Sequence, residues 1–445
     1  MNRVTNFGSL IWNHKKKTIF GAAVLAYGVH FAQKTNREAK IRAFYARQAK
    51  RYGQQTVSPT QRLSRITVLV NRAAKGGKAV NIFDKNALPL LHLAGFDVNV
   101  IKVKDKEEME SVARVLDRKD ADCLYVVGGD GTVCRVLTGI FERENGNSDN
   151  KLPLCIFPGG RHNKSLKNIL PGVFDDEKDI RQYCESAMAI IENSYQSVSP
   201  MKCEIISDEN PAETKTFYLL SSVDAGWLEH CDQKQPKLWY WGALKSKIVY
   251  LWEFAKRYPE KINLSVTYQD FCDGCNKCRK KPEITNNGSF SWLRRLAGVT
   301  KSTNKGPDFS KIENPICGLT HEIKVDAANL TVACAQAKNG SKLHFQSIGK
   351  DMGRLDAIRE GWTSSSTEQN KRDESNDSAG FQASKIWMRF LYLPEFIQKL
   401  AISGEWNEIE SPTTRTICLE KVDSKIDIFL PKRLDDSAQL GPSTE

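Results

Sequence analysis

The chain has 445 residues, 40% of them hydrophobic and 27% charged, with 65 Lys and Arg against 53 Asp and Glu for a net charge of +12. Residues 1–65 hold 13 of the bases and a single acid, Glu38, so they carry the whole excess and the rest is neutral. A nucleic-acid-binding protein would spread its charge over the folded body, so that class is excluded. A mean hydropathy of −0.46 excludes a polytopic membrane protein.

Lys15-Lys16-Lys17 precedes an apolar run from Thr18 to Ala32 in a stretch with no acid before Glu38. Fifteen helical residues span only about 22 Å, short of a hydrocarbon core of roughly 30 Å. An acid-poor basic leader with a helical apolar patch suits mitochondrial targeting, retained as an anchor on a membrane surface. Another membrane surface and a plain solvated helix are the alternatives. Arg37 to Tyr52 continues as a basic helical connector.

The pattern changes after Ser58-Pro59. Ile66 to Val70 reads as a strand, and helical spacing follows from Lys78 to Leu93, with Pro89 bending or ending it. Val98 to Val103 is a second strand, and Glu107 to Arg118 an amphipathic helix. Cys123 to Val127 is continuously apolar, as a strand buried on both faces requires. Thr132–Phe141 is then a helix, Leu154–Phe157 a strand and Asp179–Glu192 a helix. This alternation predicts an α/β fold with a Rossmann-like parallel sheet. Beyond about residue 200 it stops. Strands are predicted at Phe217–Val223, Ile262–Tyr268, Glu322–Val325, Leu330–Ala335, Thr416–Leu419 and Ile426–Leu430, with one helix at Lys245–Arg257. The expected organisation is a leader and linker over 1–61, a nucleotide domain over 62–200, a mostly antiparallel β domain over 201–431 and a tail over 432–445. Insertions are expected at 272–315 and 363–380.

Gly128-Gly129-Asp130-Gly131-Thr132 follows the apolar strand directly and opens a helix. Glycines let backbone approach a polyphosphate, and the helix N-terminus offers free amides to an anion. Asp130 is placed to position magnesium or ribose, and Thr132 to cap the helix. Two further glycine-bearing loops, Asn71 to Lys78 and Pro158-Gly159-Gly160-Arg161-His162-Asn163, lie at strand C-termini, where open α/β sheets bind ligands. The P-loop pattern and the protein-kinase set are both missing.

Gly128 to Thr132 resembles the Gly-Gly-Asp-Gly-Thr signature of the diacylglycerol-kinase catalytic domain, shared by sphingosine, ceramide and acylglycerol kinases and more distantly by NAD kinases. Asn71 matches the family's first-strand asparagine, with Arg72 where proline is usual. Pro158 to Asn163 is similar to its Pro-x-Gly-Thr-x-Asn loop, with Arg161 for threonine. The likeness runs furthest toward the mitochondrial acylglycerol kinases, through the Lys15-Lys16-Lys17 leader, Asn86 to Leu93 and Trp239 to Lys245. It covers most of residues 62–260.

This resemblance implies a kinase using ATP and Mg2+ on a mono- or diacylglycerol hydroxyl, giving lysophosphatidic or phosphatidic acid. ATP would bind at Asn71, Gly128, Gly129, Asp130, Gly131, Thr132, Gly159, Gly160 and Asn163. Asp130 and Glu410 would hold magnesium. The family's base is an Asp in an Asp-Gly-Glu-like motif late in the β domain. Glu408-Ile409-Glu410 is the corresponding stretch and Glu408 the expected base, with Glu405 and Asp423 as competing alignments. Leu238, Trp239, Tyr240 and Trp241 would line an acyl entrance or form an aromatic core. The resemblance also implies a mitochondrial inner-membrane or intermembrane-space location, with a non-catalytic scaffold beside the carrier translocase as the rival function. A sphingolipid kinase and an NAD kinase are further alternatives. Cys272, Cys275 and Cys278 cluster in sequence, and Cys317 with His321 would complete a zinc site.

Overall fold

A computed structural model describes residues 15–54, 64–143, 151–174, 179–207, 214–256, 260–278, 309–337, 340–348, 358–359, 361–362, 379–392, 394, 399–408 and 415–432. Its first element, α1 (Lys15–Gly53), takes in both the apolar patch and the supposed connector. Its two halves differ. Phe20, Leu25, Tyr27 and Phe31 are exposed, whereas Ile41, Tyr45 and Ala49 are buried. These last three recur at helical spacing and pack into the first domain's core. Tyr45 Oη donates to Glu185 Oε1 at 2.6 Å, so the basic stretch is a docked part of the body rather than only a connector. Among the described residues no helix is long and apolar enough to cross a membrane.

The first sheet contains β1 (Arg65–Asn71), β2 (Asp97–Val103), β3 (Cys123–Gly128), β4 (Leu154–Pro158), β5 (Tyr195–Val198) and β17 (Ile426–Phe429), in the order β2-β1-β3-β4-β17-β5. The strands from β2 through β17 are parallel, and β5 closes the edge antiparallel to β17. Helices α2 (Lys78–Asn86), α3 (Leu88–Leu93), α4 (Lys106–Val115), α5 (Asp130–Phe141), α6 (Lys164–Ile169) and α7 (Arg181–Ile191) connect them. The predicted helix over 78–93 is divided as expected, with Pro89 in the first turn of α3. Every residue of β3 is buried, as its unbroken apolar run requires.

The second sheet is antiparallel throughout. Its main path uses β6 (Met201–Ser207), β7 (Lys215–Leu219), β8 (Ser222–Gly226), β11 (Asn329–Ala337), β12 (Gly340–Ile348), β13 (Ala379–Tyr392), β14 (Lys399–Ile402), β15 (Glu405–Glu408) and β16 (Arg415–Lys421). The hairpin of β9 (Ile262–Asp270) and β10 (Thr320–Ala327) joins it where β9 pairs with Ala383 to Tyr392 of β13. Helices α8 (Trp227–Lys234) and α9 (Lys245–Lys256) cover it near β8. Ile426–Phe429, expected in this half, instead pairs with β4 and β5. Its alternating apolar pattern suits either sheet, and only long-range pairing decides between them.

Helix α5 is the shared wall. Val133, Val136, Leu137 and Ile140 face the parallel sheet, while Cys134 belongs to the core of the antiparallel one. Thr138 Oγ1 accepts the Tyr218 N–H at 3.0 Å, and Phe141 stacks on Tyr218.

Candidate active site

The buried strand β3 ends at Gly128 and the chain turns directly into α5. A methyl group on Gly160 would sit 2.6 Å from Gly129 Cα, and one on Gly129 would sit 3.0 Å from Gly160 Cα. The two loops therefore meet backbone to backbone, and glycine is required at the contact. The first-turn amides of α5 have no partner within the helix and form the natural seat for an anion. Gly129, not Thr132, occupies the N-cap. Thr132 lies in the first turn, where its hydroxyl accepts from Asn71 Nδ2 at 2.8 Å. Asn71 Oδ1 accepts the Ala73 N–H at 2.9 Å, which fixes the loop after β1 to the same corner.

Asp130 is a pin between loops. Its Oδ2 accepts the Lys164 N–H at 2.9 Å and its Oδ1 the Ser165 N–H at 2.7 Å, closing the start of α6. Asn163 sits left-handed at φ 50°, and its Oδ1 accepts the Gly160 N–H at 2.9 Å. It shapes its own loop. Burial, with Lys164 and Arg161 nearby, holds His162 down at about 4, so the ring is neutral at pH 7.

From α6 the site continues into the second sheet. Lys164 Nζ lies 2.8 Å from Asp224 Oδ2 on β8 and 3.8 Å from Glu229 Oε1 on α8. Asp224 also accepts from Ser222 Oγ at 2.6 Å and Thr331 Oγ1 at 2.8 Å. Burial alone would lower Lys164, but Asp224 and Glu229 outweigh it and hold the ammonium up. Burial pushes Glu229 up to about 8 against the pull of Lys164. Sequence reasoning did not find this trio. Its signals were a lysine directly after the glycine loop and an acid inside a wholly buried strand.

Three loops thus converge at the C-terminal edge of the parallel sheet around a helix N-terminus. Gly129, Asp130 and Gly131 stay half-buried at this corner, where phosphates could reach the first turn of α5, while Gly159 and Gly160 are buried behind them. Asp130 keeps lone pairs free beyond its two amide bonds, and magnesium in such sites uses one or two carboxylates plus phosphate oxygens. The residues present fit a magnesium nucleotide.

Residues 65–198 match the diacylglycerol kinase catalytic domain. An uncharacterised protein of Caenorhabditis elegans is 36% identical over 436 residues, covering 97% of this chain and 98% of its own length. The mitochondrial acylglycerol kinase of Xenopus laevis is 28% identical over 268 residues, 60% of each chain. The chain belongs to the diacylglycerol kinase catalytic-domain family. A Schizosaccharomyces pombe sphingoid long chain base kinase is also similar, 34% identical over 103 residues, 23% of this chain and 22% of its own. At this level the protein is a lipid kinase by family, and the match to the Xenopus enzyme leaves two fifths of that kinase unaligned.

The base implied for this family falls in a less complete part of the site. Strand β14 pairs with β8, Ala401 opposite Asp224, and then turns through Ser403 and Gly404 into β15. Both turn residues have positive φ, 51° and 73°. Ser403 is buried, shares a hydroxyl contact of 2.5 Å with Ser221 and donates its N–H to Ser222 O. The turn therefore lies beside the residues that hold Lys164. Glu405 is the first residue beyond it, opposite Ile402, whereas Glu408 pairs with Lys399 at the far end of the hairpin. Glu410 lies outside the described residues. Asp423 follows β16 in the connection to β17, away from this hairpin in the chain.

Proposed function

We propose that this chain is an ATP-dependent lipid kinase that phosphorylates the free hydroxyl of a mono- or diacylglycerol, giving lysophosphatidic or phosphatidic acid. The observation that carries the proposal is the Gly129–Gly160 contact at the N-terminus of α5, tied to β1 through Asn71–Thr132 and to α6 through Asp130. In this reading the ATP phosphates lie on Gly128, Gly129, Gly131, Gly159 and Gly160. Thr132, Asn71 and Asn163 hold the loops in shape. Asp130 and Glu410 would hold magnesium, which when bound neutralises phosphate charge as the γ-phosphoryl group leaves. Transfer to an alcohol is mainly positioning and charge neutralisation, with a carboxylate taking the hydroxyl proton. Glu408 is that carboxylate in the proposal and Glu405 its rival nearer the turn. Glu408→Gln and Glu405→Gln, each measured for turnover and ATP binding, discriminate the two: the true base loses turnover and keeps ATP.

A lipid substrate is supported by the surface beside the site. Trp239, Tyr240, Trp241, Leu244, Leu251 and Trp252 are exposed on α9 and the 3-10 stretch before it, with Trp239 77% accessible. They are not an aromatic core. Lys237, Lys247 and Lys256 are interspersed, and Lys256 lies over the Trp252 ring. Large aromatics among lysines suit a membrane–water boundary, where the rings sit at headgroup depth. We assign the protein to the mitochondrion from its basic leader, in keeping with the name of the Xenopus relative.

One observation favours a second reading, a non-catalytic scaffold at the inner-membrane carrier translocase. The turn beside Lys164 carries Ser403 and no carboxylate of its own. The deciding experiment offers labelled ATP to the full chain with vesicles containing monoacylglycerol, diacylglycerol or sphingosine, and with soluble NAD. Label in an acylglycerol that disappears in Asp130→Ala is the expected result. Zero transfer to every acceptor, with vesicle binding intact, would establish the scaffold instead, and label in sphingosine or NAD alone would reassign the substrate.

A further inference from the structure

Strands β9 and β10 form a hairpin whose pairing starts at Gln269 opposite Thr320. Cys272, Cys275 and Cys278 follow β9, and Cys317 precedes β10, so 38 residues of chain separate the third cysteine from the fourth. Their four sulphurs lie within 4.8 Å of one another. Cys278 Sγ is 3.8 Å from both Cys272 Sγ and Cys275 Sγ. All four are free thiols, and these separations are nearly twice the roughly 2.05 Å of a disulfide. They are the separation a shared tetrahedral ion imposes. Four sulphurs each about 2.3 Å from one zinc stand about 3.8 Å apart.

We infer that Cys272, Cys275, Cys278 and Cys317 bind one Zn2+ as a structural four-thiolate site that staples the base of the long connection between β9 and β10. Cys272 and Cys275 are buried, which suits a closed site and leaves no position for a substrate. Donors aim at the sulphurs as they do around metal thiolates. Asn314 Nδ2 donates to Cys272 Sγ at 3.4 Å, and the Cys275 N–H to Cys278 Sγ at 3.3 Å. The knuckle itself is shaped by Gly274, at φ 137°, where a side chain would collide with the Phe309 ring. Its root is fastened to the main sheet, because Lys421 Nζ of β16 donates to Cys272 O at 3.0 Å and Ser384 Oγ of β13 accepts the Cys272 N–H at 3.2 Å.

His321, expected from the sequence as a ligand, takes no part. Its Nε2 lies 2.8 Å from Asp270 Oδ2 and its ring stacks on Tyr268. On loading, each thiol gives its proton to solvent as its sulphur bonds the ion, so affinity falls in acid. Tetrahedral sulphur sites suit zinc or iron. Four thiolates around one fixed ion, on a hairpin remote in sequence from the glycine loops, give the ion a role in holding chain and none in transfer.

The test uses the full chain, purified in reducing, chelator-free buffer from zinc-supplemented cells. Elemental analysis should find about one zinc per chain and no stoichiometric iron, and X-ray absorption at the zinc edge should show four sulphurs at about 2.3 Å. Cys317→Ser and Cys275→Ser should each lower bound zinc at least several-fold, while Cys418→Ala, at a buried thiol elsewhere, keeps it. Wild-type chain without zinc, iron in its place, a shell of nitrogen and oxygen, or mass-spectrometric disulfides among the four would overturn the proposal. The absorption measurement needs no variant, so misfolding of a serine mutant does not blunt it.

Discussion

The two faces that meet across α5 are built differently. On the phosphate face, most contacts have backbone on at least one side: Gly129 against Gly160, the Asp130 carboxylate on the α6 amides, and the Asn163 amide oxygen on the Gly160 N–H of its own loop. On the opposite face, polar side chains meet across long stretches of sequence, Lys164 with Asp224 and Glu229, and Thr331 with Asp224. A backbone site is made once the strands are parallel and the glycines are present. A side-chain site exists only when two sheets have docked. The first can be damaged by adding volume and the second by removing charge, and experiments can separate these two sensitivities.

The largest effect is expected on the side-chain face. Lys164→Ala would leave Asp224 buried without its cation, and losing one partner of a buried pair costs on the order of 3–5 kcal/mol. With Lys164 still 29% exposed, about 2–3 kcal/mol is the expected loss, read from chemical denaturation. A loss below half a kcal/mol would mean that the docking does not depend on the pair. On the backbone face, Gly160→Ala should weaken ATP binding at least tenfold, a loss of about 1.4 kcal/mol, because its Cβ meets Gly129 Cα at 2.6 Å. Unchanged binding by calorimetry would show that the two loops part freely.

A third prediction uses pH. Glu229 is raised to about 8 in the folded chain from an ordinary value near 4.5. Between those values the folded state holds a proton that the unfolded state has released, so stability from this group falls as pH rises through the window, by at most about 1.4 kcal/mol per unit. Glu229→Gln should flatten that slope between pH 5 and 8. An unaltered slope would clear Glu229. The smallest effect is expected from the aromatic surface: Trp239→Ala with Trp241→Ala should weaken binding to anionic vesicles severalfold while leaving the unfolding free energy within about half a kcal/mol, as for exposed sites.

What the sequence revealed follows the same division. The apolar run of β3, the glycine turn after it and Pro89 each act within a few residues, and the predicted elements agree with the observed ones there. Strands β5, β6 and β12 to β15 were not predicted: Gly340 to Ile348 is polar on one face, and β5, β14 and β15 are four residues each. The placement of Ile426–Phe429 was illegible for another reason, since its partners lie some 230 to 270 residues back. Tyr45, seen in sequence as one residue of a basic connector, is fully buried because Glu185, 140 residues on, waits for its hydroxyl. Lys164 carries no local signal for its role, because its partner Asp224 lies 60 residues further along the chain.

The position of β17 has a consequence for how the molecule is made. It lies between β4 and β5 in the first sheet, yet among the described residues it is the last strand in sequence. The nucleotide half is therefore not a separately finished unit with the antiparallel half attached. Its sheet stays open beside β4 until residues 426–429, some 230 residues after their β5 partners, have been made. Sheets closed by such distant pairings assemble slowly, and the half-finished edge beside β4 is a surface for chaperones to guard. A frameshift or stop codon between residues 415 and 426, far from every glycine loop, should cost the cell the parallel-sheet half as surely as a lesion within it.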